Sequence, residues 1–331
     1  MRLVCLLLLT AFILGSTISC TPPDDDNDAS DDDASLDDDQ ADDDADDDLD
    51  DDDLSDDDVD DDVMDDDATD DDTTDDDCDP LYPDLWIAGH RGANMLAPEN
   101  SLPSLEITFH QGANAVEIDV RDTADGEYVL MHDDTVDRTT NGTGLVSDLT
   151  LTEIKDLLIT DWMYGHVYGD LRVPTLQEAL TVIAEHGGQV DIDMKTDEPE
   201  GAIEIVMAMG MESSCYVYSG DVTTLDRVRA TSPDVRIQPA TASVADTQAL
   251  LDHFDPDPEH IELADGGLTP ENVELIHSVG ARVAMDSIGE RDIFAFLGFK
   301  ETWLSMMEGG VDIILSDLPG MLVDYRDSLC E

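Results

Sequence analysis

Eight short apolar runs, separated by stretches of helical periodicity over about 250 residues, predict an α/β chain closed into a TIM-type (β/α)8 barrel. The runs fall at 85–89, 115–120, 189–194, 215–218, 235–238, 260–264, 282–286 and 311–315. Helical patterns lie between most of them, at 101–110, 176–186, 223–230, 244–253 and 270–279. Strands alternating with helices of these lengths build parallel sheets. The side chains able to do chemistry sit on well-separated runs and must meet at one mouth, which favours closure over an open doubly wound sheet.

The first run ends in Gly89-His90-Arg91-Gly92, and Pro98-Glu99-Asn100 precedes the first helical stretch. In the second run alternate side chains share a face, so Glu117 and Asp119 project together while Val116, Ile118 and Val120 face the packing layer. Adjacent carboxylates repel unless a proton or cation lies between them, and a hard divalent ion takes such oxygens. A solvent-facing edge strand is the plainer reading of an isolated pair. Met131-His132-Asp133 follows. Residues 134–174 interrupt the repeat: Asn141-Gly142-Thr143-Gly144 forms turns, and Leu149–Leu158 reads as a short helix opened by Thr150 or Thr152. Trp162–Asp170 is aromatic and glycine-rich. In the third run Asp191, Asp193 and Lys195 share a face, either as a surface ion pair or as a metal ligand beside a phosphate-binding ammonium. Two imidazoles, a guanidinium and same-face carboxylates together suit phosphodiester chemistry.

These motifs carry a resemblance. His90-Arg91-Gly92, Pro98-Glu99-Asn100, Glu117-Ile118-Asp119, Asp125-Gly126, His132-Asp133 and Arg138-Thr139-Thr140-Asn141-Gly142 resemble the signature of the glycerophosphodiester phosphodiesterases, a family of phosphatidylinositol-phospholipase-C-like TIM barrels. The similarity continues through Pro174–Leu180, Asp193-Met194-Lys195 and Gly310–Pro319, in order. It implies a barrel with its site at the C-terminal ends of the strands and a small inserted subdomain, about 134–174, after the second strand. That insert is expected to roof the site, with Trp162, Tyr164 and Tyr168 either as candidate walls or as packing within the insert. It also implies His90 and His132 as the acid/base pair, and one divalent cation, Mg²⁺ or Ca²⁺, on Glu117, Asp119 and Asp193. Arg91 and Lys195 would bind phosphate; Glu99 would orient the site, and Asp133 with Arg138 would act there or simply hold the loop. Asp317 reads as a turn residue. In two places the chain departs from the pattern. Asp193 stands where the family usually has Glu, and Arg282–Ser287 lacks the usual Trp-Thr-x-Asn.

Composition divides the 331 residues into three pieces: 1–19, 20–79 and 80–331. Met1–Ser19 is apolar from Leu3 to Leu14 and reads as a secretory signal. Thr17-Ile18-Ser19-Cys20 resembles a bacterial lipobox, with Cys20 as the lipidated residue. The chain is expected to be exported and lipid-anchored at a bacterial cell envelope, or secreted. Thr21–Asp79 holds 36 Asp and no Glu, Lys or Arg, a composition that predicts a disordered, self-repelling tether. The net charge of −69, less those aspartates and Arg2, leaves −34 for residues 80–331, which disfavours nucleic acid and anionic membranes as partners. Cys78 and Cys330 bracket the barrel and are expected to form a disulfide; Cys215 reads as a buried thiol. His110, His166, His186, His253, His260 and His277 read as surface or packing residues. The expected activity is hydrolysis of small-molecule glycerophosphodiesters to glycerol 3-phosphate and an alcohol. A lysophospholipase D-like surface enzyme and a non-catalytic anchored binding module are the alternatives.

Overall fold

The computed structural model of the chain describes residues 81–160 and 165–330. Cys20, the acidic tether, Cys78, and Trp162 and Tyr164 of the insert lie outside the described residues. Nine strands run in the order β1 (Trp86–Gly89), β2 (Ala115–Asp122), β3 (Tyr128–Leu130), β4 (Gln189–Met194), β5 (Cys215–Ser219), β6 (Arg236–Thr241), β7 (His260–Leu263), β8 (Arg282–Asp286) and β9 (Ile313–Ser316). All neighbours except β2 and β3 are parallel, and β1 pairs with both β2 and β9, so eight strands close into a barrel. Seven of the eight apolar runs agree with a barrel strand to within two residues at both ends; the exception is β6, which runs on to Thr241.

The ninth strand is β3, which the apolar pattern did not separate from β2. Asp125-Gly126 turns the chain, with Gly126 at φ 79°, and the three buried residues Tyr128, Val129 and Leu130 fold back antiparallel on β2. The hairpin lifts His132 to the level of the last ligand-bearing residue of β2, because the Met131 N–H donates to the Asp119 carbonyl (3.0 Å).

Helices α1 (Leu102–His110), α4 (Leu176–His186), α5 (Pro199–Ala208), α6 (Val222–Thr231), α7 (Val244–His253), α8 (Pro270–Ser278), α10 (Glu301–Glu308) and α11 (Pro319–Asp327) surround the barrel, with a short α9 (Glu290–Phe296) ahead of α10. Within the insert lie α2 (Leu151–Asp156), opened by Thr150 rather than Thr152, and α3 (Gly165–Tyr168). Ser101, Thr150 and Thr175 each close a capping box. Val116, Ile118 and Val120 are fully buried between sheet and helices, where such side chains each contribute on the order of 1.5–3 kcal/mol. The insert has a small core of its own, in which Val136, Val146, Ile154 and Ile159 pack on Val129 and Met131 of the hairpin.

The apolar packing lies outside the barrel, and much of the lumen is polar. Paired residues face the same way, so the registers Glu117↔Asp191↔Tyr216 and Asp119↔Asp193↔Tyr218 define two inward layers. Towards the floor His260 meets both the Trp86 and the Tyr216 rings edge to face, with the Arg282 guanidinium 4.1 Å from the Trp86 ring centre and that of Arg236 5.5 Å away. This layer closes the floor. His260 is thus a packing residue, and burial together with Arg236 and Arg282 pushes its pKa down to about 3.

Candidate active site

The C-terminal ends of β1, β2, β4 and β9, with the turn after β3, bring the site together. Glu117 and Asp119 on β2 are 4% and 1% exposed, although both are carboxylates. With Asp193 on β4 they offer one oxygen each, all within 4.8 Å of one another. Burial, then Asp119, Asp193 and Asp191, raise the Glu117 pKa well above its ordinary value. Burial also raises Asp193, with Lys195 opposing the shift. Clustered oxygen donors that resist sharing their charge fit a hard divalent cation. The shorter Asp193 side chain still reaches the cluster.

Two cations and an amide hold this cluster. Lys195 Nζ lies 2.6 Å from Asp193 Oδ2 and 3.2 Å from Asp119 Oδ1. The Arg91 N–H donates to Glu117 (2.7 Å), and its Nε lies 3.3 Å from Asp119 Oδ2. Asn100 grips Asp119 twice: its amide donates to Oδ2 (2.7 Å) and its Oδ1 accepts the Asp119 N–H (3.1 Å). Arg91 and Asn100 both sit at positive φ, 52° and 53°, the described non-glycine residues that do so. That conformation costs Arg91 on the order of 1–2 kcal/mol, and it turns both its N–H and its guanidinium towards the carboxylates.

The two histidines flank β2, one just past β1 and the other just past β3. His90 follows β1, and its Nδ1 is 2.7 Å from Asp317 Oδ1 at the end of β9. Asn94 donates to the same oxygen (2.5 Å) and to the His90 carbonyl (3.0 Å). Asp317 is therefore no mere turn residue; the register of β1 on β9 makes it the partner of His90, a signal present in its position at a strand end. Burial works against its charge, but His90 and Asn94 hold its pKa below the ordinary value.

His132 Nδ1 lies 2.8 Å from Asp133 Oδ1, and Arg121 donates twice to the His132 carbonyl (3.1 and 2.9 Å). Arg138 then joins the loop to the first turn. It forks onto Asp133 (2.7 and 2.9 Å) and onto Glu99 (2.7 and 2.8 Å), and Glu99 also accepts from Arg91 (3.0 Å). The Arg138 fork, with His132, holds Asp133 well below the usual carboxylate range. Thus the structure brings together His90, Arg91, Glu99, Glu117, Asp119, His132, Asp133, Asp193 and Lys195, with Arg138. Sequence reasoning gave no role to Asn94 or Arg121, polar residues without a motif of their own, nor to Asn100, although it stands in Pro98-Glu99-Asn100. It also missed Glu262 and Asp286, inward-facing on β7 and β8. Burial, then Asp286 and Asp193, push the pKa of Glu262 up to about 8. Tyr168 donates to the Leu96 carbonyl (3.0 Å), tying the insert to the first loop. Cys330 is disulfide-bonded, while Cys78 lies outside the described residues; Cys215 is a buried free thiol.

A family model described as glycerophosphoryl diester phosphodiesterase matches residues 90–321. A glycerophosphodiester phosphodiesterase from Caldanaerobacter subterraneus is 28% identical over 248 residues, covering 72% of this chain and 96% of that protein. Among solved structures, a glycerophosphodiester phosphodiesterase from Agrobacterium tumefaciens is 26% identical, with a TM-score of 0.64 over 72% of this chain and 99% of that one. An Oleispira antarctica phosphodiesterase, in complex with the product sn-glycerol-3-phosphate, is 27% identical, with a TM-score of 0.63 over 73% and 97% of the two chains.

Proposed function

Because the chain belongs to the glycerophosphoryl diester phosphodiesterase family and is a phosphoric diester hydrolase, we propose that it cleaves glycerophosphodiesters to glycerol 3-phosphate and an alcohol by acid/base catalysis between His90 and His132. The observation that carries this reading is the pair of histidine–aspartate contacts flanking β2, whose two carboxylates cluster with Asp193. Each aspartate takes Nδ1, so Nε2 is the nitrogen left to exchange a proton with substrate. One imidazole takes the proton of the attacking hydroxyl, the substrate's own neighbouring group or water; the other protonates the departing alkoxide. Arg91 and Lys195 receive phosphoryl oxygens, and Glu99 keeps the Arg91 guanidinium in place. A Mg²⁺ or Ca²⁺ ion held by Glu117, Asp119 and Asp193 neutralises phosphoryl charge when bound. Turnover of glycerophosphocholine by the full chain is expected with added Mg²⁺ or Ca²⁺, and its loss with EDTA or in Glu117→Gln. Unchanged rates in EDTA would sink the metal assignment.

We also propose that the enzyme is exported and anchored at a bacterial cell envelope through Cys20, because Thr17-Ile18-Ser19-Cys20 resembles a lipobox. Fatty-acyl label that enters the wild-type chain and not Cys20→Ala supports the anchor; label that persists in the variant removes it.

A further inference from the structure

We propose that Glu262 and Asp286, on the side of the mouth facing the histidines, form a subsite for the primary ammonium of an amino-alcohol and thereby set specificity. The inference rests on the phosphodiester reading above and names the alcohol that leaves. The mouth has two unlike halves. On the side of β9, β1, β2 and β4 the carboxylates of the site each meet a cation or an N–H, as Asp193 meets Lys195 and Asp317 meets His90. On β7 and β8 the pairing stops. Among the described residues Glu262 accepts only from Gln238 Nε2 (3.2 Å), and no side chain donates to the Asp286 carboxylate. Arg291 lies close by, but it donates to the Asp286 carbonyl (3.0 Å) and to Asp265 (2.6 Å). Gln238 of β6 gives a second, separate indication. It is 2% exposed, its amide reaches Glu262 and Asp191 Oδ2 (3.4 Å), and its Oε1 has no hydrogen-bond partner among the described residues. The same is true of Asp191 Oδ1. Buried acceptors beside two carboxylates call for a donor, and an ammonium brings three.

The chemistry of the occupant follows from the donors. Burial raises the pKa of both Glu262 and Asp286, and Asp193 adds to each shift, so a cation between them favours the charged forms. A bare metal ion needs closer oxygens. Among the described residues, Glu117, Asp119 and Asp193 are the group that brings three such atoms within 4.8 Å of one another. An organic cation is broader and suits carboxylates set farther apart. A trimethylammonium has no N–H and is held by a cage of aromatic faces, whereas here Tyr218, level with Asp193, is joined by carboxylates and an amide oxygen. In Arg282–Ser287, where the resembling pattern has Trp-Thr-x-Asn, this chain has no aromatic residue and one carboxylate, Asp286. The charge of −34 on residues 80–331 disfavours an anionic alcohol. Reach is short as well. In an ethanolamine diester two carbons separate the nitrogen from the ester oxygen, and both carboxylates lie within electrostatic range of Asp193, beside the phosphoryl site.

The test scores binding and turnover separately, on the full chain with added Mg²⁺. In calorimetry phosphoethanolamine should bind at least about ten-fold more tightly than propyl phosphate, in which a methyl group replaces the ammonium. Phosphocholine should bind more weakly than phosphoethanolamine. Glu262→Gln and Asp286→Asn should each reduce the preference for phosphoethanolamine over propyl phosphate several-fold, and the double substitution should remove it. The ratio of kcat/KM for glycerophosphoethanolamine to that for glycerophosphoglycerol should fall in the same order. Both readouts are ratios, so a general loss of folded protein does not move them. No binding of phosphoethanolamine, equal affinity for propyl phosphate, tighter binding of phosphocholine, or a preference that survives both substitutions overturns the proposal. A binding preference that the substitutions remove, in a chain that turns over no phosphodiester, supports the subsite and removes the hydrolase reading instead.

Discussion

His90 and His132 are both held through Nδ1 by an aspartate, but the barrel clamps one and a loop holds the other. His90 and Asp317 directly follow the hydrogen-bonded strands β1 and β9, 227 residues apart, and the imidazole is 16% exposed. His132 takes the next residue in the chain, is 36% exposed, and depends on Arg138 and Glu99 to fix that partner. A strand-borne contact inherits the rigidity of the sheet. A loop-borne one must be braced by charge, and two guanidiniums sharing Glu99 supply the brace.

Substitutions can break this comparison. His90→Ala and His132→Ala should each lower kcat by about 10²–10⁴-fold, the range of a lost acid or base. Asp317→Asn should cost about 10²-fold in kcat with KM nearly unchanged, because the His90 imidazole is less open than His132 to water that could replace its partner. Asp133→Asn should cost less, about ten-fold, since His132 is more open to solvent. Arg138→Met should be milder still, and its effect should overlap that of Asp133→Asn while adding to that of Asp317→Asn. Equal losses for the two aspartates, or additivity between Arg138 and Asp133, would show that the histidines are held alike.

The smallest effect separates both dyads from the deeper carboxylates. Asp133 and Asp317 have depressed pKa values, so the stability they contribute is present above the ordinary carboxylate range and lost only as pH falls through their folded values. Glu262 is the reverse case. Its pKa rises from 4.5 to about 8, so the folded state retains a proton that the unfolded state has lost, and stability declines as pH climbs through that window. In EDTA, thermal unfolding should move down by a few degrees between pH 5 and 8, and Glu262→Gln should flatten the decline. A slope that the substitution leaves intact would assign it to other groups.

Much of the site was legible because its residues are local. Glu117 and Asp119 share a face by strand alternation alone, and His132-Asp133 is a contact between chain neighbours. Asp193 needed only the expectation that β4 lies beside β2, which a parallel repeat supplies. Asp317 was not legible in the same way. Nothing within a few residues of it names a partner, and its contact exists only because β9 closes the sheet onto β1. β3 was missed because three apolar residues after a turn are too short for a period to register. The departure in Arg282–Ser287 has a visible outcome, with Asp286 facing the lumen near Glu262 and Asp193.

The sequence by itself determined the eight-fold alternation, the inward carboxylates of β2 and β4, and the apolar residues that pack outside the barrel. These follow from period and chemistry along the chain. Only the tertiary structure decided which aspartate serves which histidine and how Arg138 reaches Glu99. Those are distances between segments far apart in the chain, set by closure of the sheet and by which end of each strand its loop leaves from.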